Sequence, residues 1–156
     1  MRRQVYLETS IVSYLAARPS RSLIMAAHQE VTRQWWERRQ RFELYISQLV
    51  LNEAAGGDSA AARRRLALVR GMRQLPVTPE VIDLGHALVM DGMLPPKAAI
   101  DALHIAVATV HDMDILLTWN CRHLANAELL GELARYLRGK GYEMPVTTTP
   151  EELMGD

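Results

Sequence analysis

Apolar and polar positions change period several times along the chain. Val5 to Leu7 is a short apolar run that ends at Glu8-Thr9-Ser10, after which Ile11, Val12, Tyr14 and Leu15 recur at helical spacing. This predicts a strand, a polar turn and a helix. Pro19-Ser20 interrupts the pattern, and Ser20 is a suitable N-cap for a long helix that runs through Trp35 and Trp36 and ends near Arg41. Phe42 to Ile46 reads as a second strand, with Ser47 as the cap of a helix carrying Leu49, Val50, Leu51 and Glu53. Gly56-Gly57-Asp58-Ser59 breaks that helix, and an Ala- and Arg-rich helix is expected over 60–71.

The same alternation continues in the second half. Leu75 to Val77 predicts a third strand, and Thr78, Pro79 and Glu80 open a helix by capping and an N1 proline. After Gly92, Pro95 and Pro96, the segment from Ala98 to Val110 is almost wholly apolar, which predicts a buried helix, and Asp114 to Thr118 predicts a fourth strand. A long helix over 122–139, an edge strand at Pro145 to Thr147 and a short terminal helix from Thr149-Pro150-Glu151 complete the pattern. Strands that alternate with helices imply an α/β fold, a three-layer α/β/α arrangement with a central parallel sheet. In such sheets ligands sit beyond the carboxyl ends of the strands, at the switch point of strand order. The polar residues after the first and fourth strands are therefore the ones to weigh.

Composition narrows the function classes. The chain has 156 residues, 49% of them hydrophobic, which suits one domain over 1–156 with a core of its own. Its 18 basic and 18 acidic residues balance, so a polyanion partner must be met by local clusters such as the arginines at 2, 3, 33, 38, 39, 41 and 63–65, whose plainer account is the solvated faces of helices. Cys121 is the single cysteine, which excludes an intrachain disulfide and fits a reducing, cytoplasmic compartment. No apolar stretch has the length of a signal peptide or membrane span, so no membrane partner is expected. Phosphate-loop, dinucleotide, zinc-protease and Cys-x-x-Cys motifs are absent.

Four side chains have a placement suited to chemistry: Glu8 after the first strand, Glu53 in an apolar helix, Asp101 at the start of the buried helix and Asn120 after the fourth strand. A hard cation such as Mg²⁺ or Mn²⁺ takes oxygen ligands and keeps several waters, so a few convergent carboxylates suffice. Singly, each has a plainer account: Glu8 as an exposed turn or helix-start acid, Glu53 as a solvent-facing residue, Asp101 as a helix-start charge favoured by the macrodipole, Asn120 as a turn former. Asp101 and His104 at i, i+3 lack the second carboxylate–histidine pair of a di-iron bundle, which leaves His104 as a helix residue satisfied by a neighbour. Trp35-Trp36 fits a core or dimer anchor, or a surface on which bases stack. Cys121 and His123, two apart on the expected helix, point away from one another and make no nucleophilic pair.

Taken together, Val5-Tyr6-Leu7-Glu8-Thr9-Ser10, Leu51-Asn52-Glu53-Ala54, Asp101-Ala102-Leu103-His104-Ile105-Ala106 and Leu116-Leu117-Thr118-Trp119-Asn120 resemble the motifs of PIN-domain ribonucleases, in order and over almost the whole chain. The run Thr118-Trp119-Asn120-Cys121-Arg122-His123 is similar to a VapC-like branch, the toxins of toxin-antitoxin pairs. The resemblance implies cleavage of single-stranded RNA by a Mg²⁺- or Mn²⁺-dependent hydrolase. Glu8, Glu53 and Asp101 would be the metal ligands and, with Asn120, the catalytic set; Thr9, Ser10 and Thr118 would stand behind them. It further implies an antitoxin partner and a homodimer. The bound cation would polarise the scissile phosphate and acidify an in-line water that Glu53 or Asp101 orients, with Arg122 or Arg18 on RNA phosphates. Glu8 and Asn120 stand where many members carry Asp, and Glu reaches about one methylene farther, so a PIN-like module that binds RNA or protein without turnover is the alternative. A housekeeping RNA-processing nuclease is another.

Overall fold

The computed structural model describes residues 1–154. Five strands, β1 (Arg3–Leu7), β2 (Phe42–Ser47), β3 (Arg73–Leu75), β4 (Ile115–Leu117) and β5 (Val146–Thr148), form one sheet in the order β3-β2-β1-β4-β5. Every pairing is parallel, with Val5 opposite both Leu44 and Ile115 and Leu117 opposite Thr148. Among the described residues seven α-helices flank it: α1 (Thr9–Ala16), α2 (Leu23–Glu37), α3 (Gln48–Ala54), α4 (Ser59–Leu68), α5 (Pro79–Met90), α6 (Ala99–Val110) and α7 (Ala127–Gly139). The result is the three-layer α/β/α fold that the alternation predicts.

Strand order reverses between β1 and β4, because the chain first steps outward through β2 and β3 and then returns to the other side of β1. The core follows from this arrangement. Val5, Tyr6 and Leu7 on β1 and Ile115, Leu116 and Leu117 on β4 are fully covered, as is the Ile105–Ala108 stretch of α6. Covering each such aliphatic side chain contributes about 1.5–3 kcal/mol. Trp35 is also buried, at 1% exposure, so it anchors the core and offers no face for a base. Trp36 is partly covered by the Arg39 guanidinium, 4.4 Å above its ring. No helix among the described residues is long and apolar enough to cross a membrane.

Several boundaries differ from the sequence expectations for local reasons. Ser22 caps α2 and Ser20 does not: the Ser20 hydroxyl accepts from the Ser22 backbone N–H, and α2 stops at Glu37 before a 3₁₀ turn over Arg39–Arg41. Ser47 precedes α3 but makes no cap hydrogen bond. The helix expected over 60–71 spans Ser59–Leu68, and Gly71 with φ +77° turns the chain. β3 lies two residues earlier than Leu75 to Val77, because Pro76 has no N–H for the ladder. Its carbonyl instead accepts from His111 Nε2 at 2.7 Å.

The helix expected over 122–139 starts at Ala127. Asn120 closes the chain into a turn: its side-chain oxygen accepts from the N–H groups of Arg122 and His123, and its carbonyl from those of Leu124 and Ala125. Asn126 then caps α7 through the N–H groups of Glu128 and Leu129. The helix expected from Ala98 begins at Ala99 after a 3₁₀ turn, β5 lies one residue beyond the expected edge strand, and the terminal helix is a 3₁₀ turn, Glu152–Met154.

Candidate active site at the strand switch point

The ends of β1 and β4 are adjacent, and the ladder continues one step past them. The Glu8 N–H donates to the Leu117 carbonyl at 3.1 Å, and the Thr118 N–H to the Thr148 carbonyl at 3.0 Å. This brings the polar residues after the first and fourth strands side by side. Glu8 leaves the strand in extended conformation and caps α1. Its Oε2 accepts the Ser10 N–H at 3.1 Å, and its Oε1 accepts the Ser10 hydroxyl at 2.5 Å and the Thr118 hydroxyl at 2.6 Å. At 6% exposure it is no solvent-facing turn residue.

Glu53 reaches the same place from α3. Its Oε1 accepts the Thr9 hydroxyl and the His104 Nε2–H, each at 2.6 Å. Partial burial acts to raise its pKa. The His104 hydrogen bond and charge and the Thr9 hydroxyl outweigh that, so the carboxyl titrates below its ordinary value. His104, fully buried on α6, passes its Nδ1 to the Tyr6 phenol at 2.8 Å, and Tyr6 in turn meets Ser47 Oγ at 2.7 Å. Burial, countered by the Ser47 bond and reinforced by the charges of Glu8 and Glu53, pushes the Tyr6 phenol far up, so it stays protonated.

Asp101 lies in the first turn of α6, one turn before His104. Its Oδ2 accepts the Asn120 side-chain N–H and meets His123 Nδ1, both at 3.1 Å. The Asn120 backbone N–H donates to the Thr118 hydroxyl at 2.9 Å, so one threonine links the Asp101 group to Glu8. Glu8, Glu53, Thr9, Ser10 and Thr118 thus meet at the strand switch point, and Asp101 with Asn120 is joined to them through the Thr118 hydroxyl. The cluster has two lobes, Glu8–Glu53–His104 and Asp101–Asn120–His123.

The donor chemistry fits a hard divalent cation. Ligand atoms of Glu8, Glu53 and His104 all lie within 4.8 Å of one another, and Asp101 is outside that tight group. His104 has both ring nitrogens engaged with Glu53 and Tyr6, which leaves it poorly placed to ligate. The carboxylates remain. Among the described residues nothing donates to Glu53 Oε2 or Asp101 Oδ1, so each keeps one oxygen for a cation.

His123 and Tyr6 were not legible as parts of this cluster. The signal for Tyr6 was a hydroxyl-bearing residue inside an otherwise apolar strand. His123 lies in the Asn120 turn, where the sequence predicts helix over 122–139, so its approach to Asp101 leaves no signal in the sequence. Beside the site, Trp119 stacks on His28 with ring centroids 4.1 Å apart and donates its indole N–H to Thr32 at 2.7 Å. Of the basic run at 63–65, Arg64 and Arg65 donate to the carbonyls of Ala16, Ala54 and Gly56 and serve as clamps within the fold. Arg18 and Arg122 are exposed.

The family model described as "PIN domain" matches residues 5–128, from β1 to the start of α7. No protein with a curated description matches the chain. Among solved structures, VapBC2 from Rickettsia felis, bound to a DNA fragment from its promoter, is similar over 94% of this chain and 98% of its own, with TM-score 0.57 and 14% identity. VapC20 from Mycobacterium tuberculosis, a toxin that cleaves the sarcin-ricin loop, is similar over 79% of this chain and 95% of its own, with TM-score 0.61 and 15% identity. At such identities the likeness is one of fold. With the family model spanning most of the sequence, the chain belongs to the PIN-domain family, whose members are generally nucleases.

Proposed function

We propose that the protein is a metal-dependent endoribonuclease that cleaves single-stranded RNA and acts as the toxin of a toxin-antitoxin pair. The observation that carries this reading is the meeting of Glu8 and Glu53 at the strand switch point, with Asp101 tied to Glu8 through Asn120 and Thr118. Glu8, Glu53 and Asp101 would hold Mg²⁺ or Mn²⁺, and Asn120 would keep Asp101 in place. A bound cation supplies positive charge that polarises a phosphate and acidifies water at that spot. Thr9, Ser10 and Thr118 restrict the rotamers of Glu53 and Glu8 by donating to them. Glu53, held ionised, is the acceptor best placed to orient water. The likeness to a VapBC assembly supports an antitoxin partner, and a homodimer is the assembly that the VapC resemblance implies.

One observation favours the second reading, an RNA-binding module without turnover: Glu8 already accepts three hydrogen bonds, which leaves it fewer free lone pairs than Glu53 has. Cleavage of a mixed RNA pool by purified, partner-free protein decides between them. Cleavage with Mn²⁺ or Mg²⁺ that disappears in chelator and in Asp101→Asn is the expected result. Intact RNA under every metal, with RNA binding that persists in chelator, would overturn turnover. Induced expression should also slow growth; normal growth with intact protein present would remove the toxin role while leaving the nuclease.

A further inference from the structure

Behind Glu53 lies a buried chain of polar groups that plain core packing does not account for. Tyr6 and His104 are both 0% exposed, and Tyr6 sits between Val5 and Leu7 in the centre of the sheet. A phenylalanine would fill that space without a polar atom to satisfy. Ser47 occupies the position before α3, yet makes no cap hydrogen bond and meets the Tyr6 phenol at 2.7 Å. A helix start is left uncapped by that side chain while the chain Ser47–Tyr6–His104–Glu53 is complete.

The direction of this chain follows from its ends. A carboxylate only accepts, so His104 Nε2 carries the proton that faces Glu53. Tyr6 can donate to Nδ1 of a neutral ring, with Ser47 donating to Tyr6, or accept from a charged ring and donate to Ser47. Either way the ring cannot turn over or change which nitrogen faces Glu53. Thr9 and His104 both donate to Oε1, and Oε2 receives no donor among the described residues.

We infer that Tyr6 and His104 are positioning residues: the Tyr6 phenol fixes the orientation and the Nε2–H form of His104, which pins Glu53 by Oε1 and presents Oε2 to the cation. This rests on the metal-dependent reading above. Hydrogen-bond partners behind a ligand commonly change metal affinity or activity by roughly ten- to a hundredfold when removed. Sequence alone hides the arrangement, because Ser47 and His104 lie 41 and 98 residues from Tyr6 along the chain.

The test is Mn²⁺ affinity, followed by the electron paramagnetic resonance of free Mn²⁺, together with ¹H–¹⁵N spectra of the His104 ring in metal-free protein. Tyr6→Phe keeps the ring and removes the hydroxyl; its Mn²⁺ affinity should fall roughly tenfold or more. His104→Gln, which can still offer a side-chain N–H, should retain more affinity than His104→Leu. The metal-free wild-type ring should show a protected Nε2 proton that shifts in Glu53→Gln and exchanges faster in Tyr6→Phe. A folded Tyr6→Phe protein that binds Mn²⁺ as tightly as the wild type overturns this inference and leaves the nuclease reading standing. So does a ring protonated on Nδ1 alone. A wild-type protein that binds no Mn²⁺ overturns both. Should Tyr6→Phe fail to fold, the wild-type ring spectrum and the comparison of His104→Gln with His104→Leu decide for or against the inference.

Discussion

Thr118→Val changes one atom group at the point where the two lobes of the site join. The Thr118 hydroxyl donates to Glu8 Oε1 at 2.6 Å and accepts the Asn120 N–H at 2.9 Å, in a residue with no exposure. Valine keeps the shape and the strand preference but removes both contacts. A hydrogen bond to a charged partner is worth about 1.5–3 kcal/mol, and an N–H left without an acceptor costs about 1 kcal/mol more at this partly buried position. The added apolar group returns about 0.8 kcal/mol. The expected net loss is about 2–3 kcal/mol, which corresponds to a fall of roughly 4–12 °C in Tm for a chain of this size. Urea unfolding at neutral pH in chelator measures it, with Thr118→Ser as the control that keeps the hydroxyl. Thr118→Ser should lose only about 1 kcal/mol for its missing methyl. Equal stability of Thr118→Val and wild type, or a serine variant weaker than the valine one, would refute the reasoning, because the hydroxyl would then carry no structural weight.

Other outcomes follow from the same geometry. The folded-state pKa of Glu53 is lowered, so its contribution to stability is present above its unfolded value of 4.5 and is lost as pH falls through the folded value. In chelator, wild type should therefore lose stability below about pH 4.5 more steeply than Glu53→Gln, and identical acid profiles would count against the pairing with His104 and Thr9. Asn126→Ala removes the cap of α7, whose Oδ1 accepts from Glu128 and Leu129, and should cost about 1 kcal/mol in chemical unfolding. Trp35→Ala empties a core position that is 1% exposed and should cost about 3–5 kcal/mol; a loss under about 1 kcal/mol would mean that the core does not close there.

Fold class and most of the candidate site could be read from the order of residues. Strands and helices alternate in it with their own periods, and the polar break after each apolar run put Glu8 and Asn120 beyond strand ends before any strand order was known. Asp101 stands out as the charge that opens an otherwise apolar helix, a place the macrodipole favours, and as part of a motif that resembles the PIN pattern. Local chemistry also decides some boundaries: β3 ends before Pro76, which lacks an N–H for the ladder. The remainder needed the folded chain. Strand order placed β4 beside β1, and so Thr118 against Glu8, 110 residues away. The Asn120 turn delayed α7 and swung His123 onto Asp101. Ser47 gave up capping because Tyr6 lay across the sheet at hydrogen-bond distance. Periodicity reports which face of an element is buried; it carries no record of which distant polar group will meet it there.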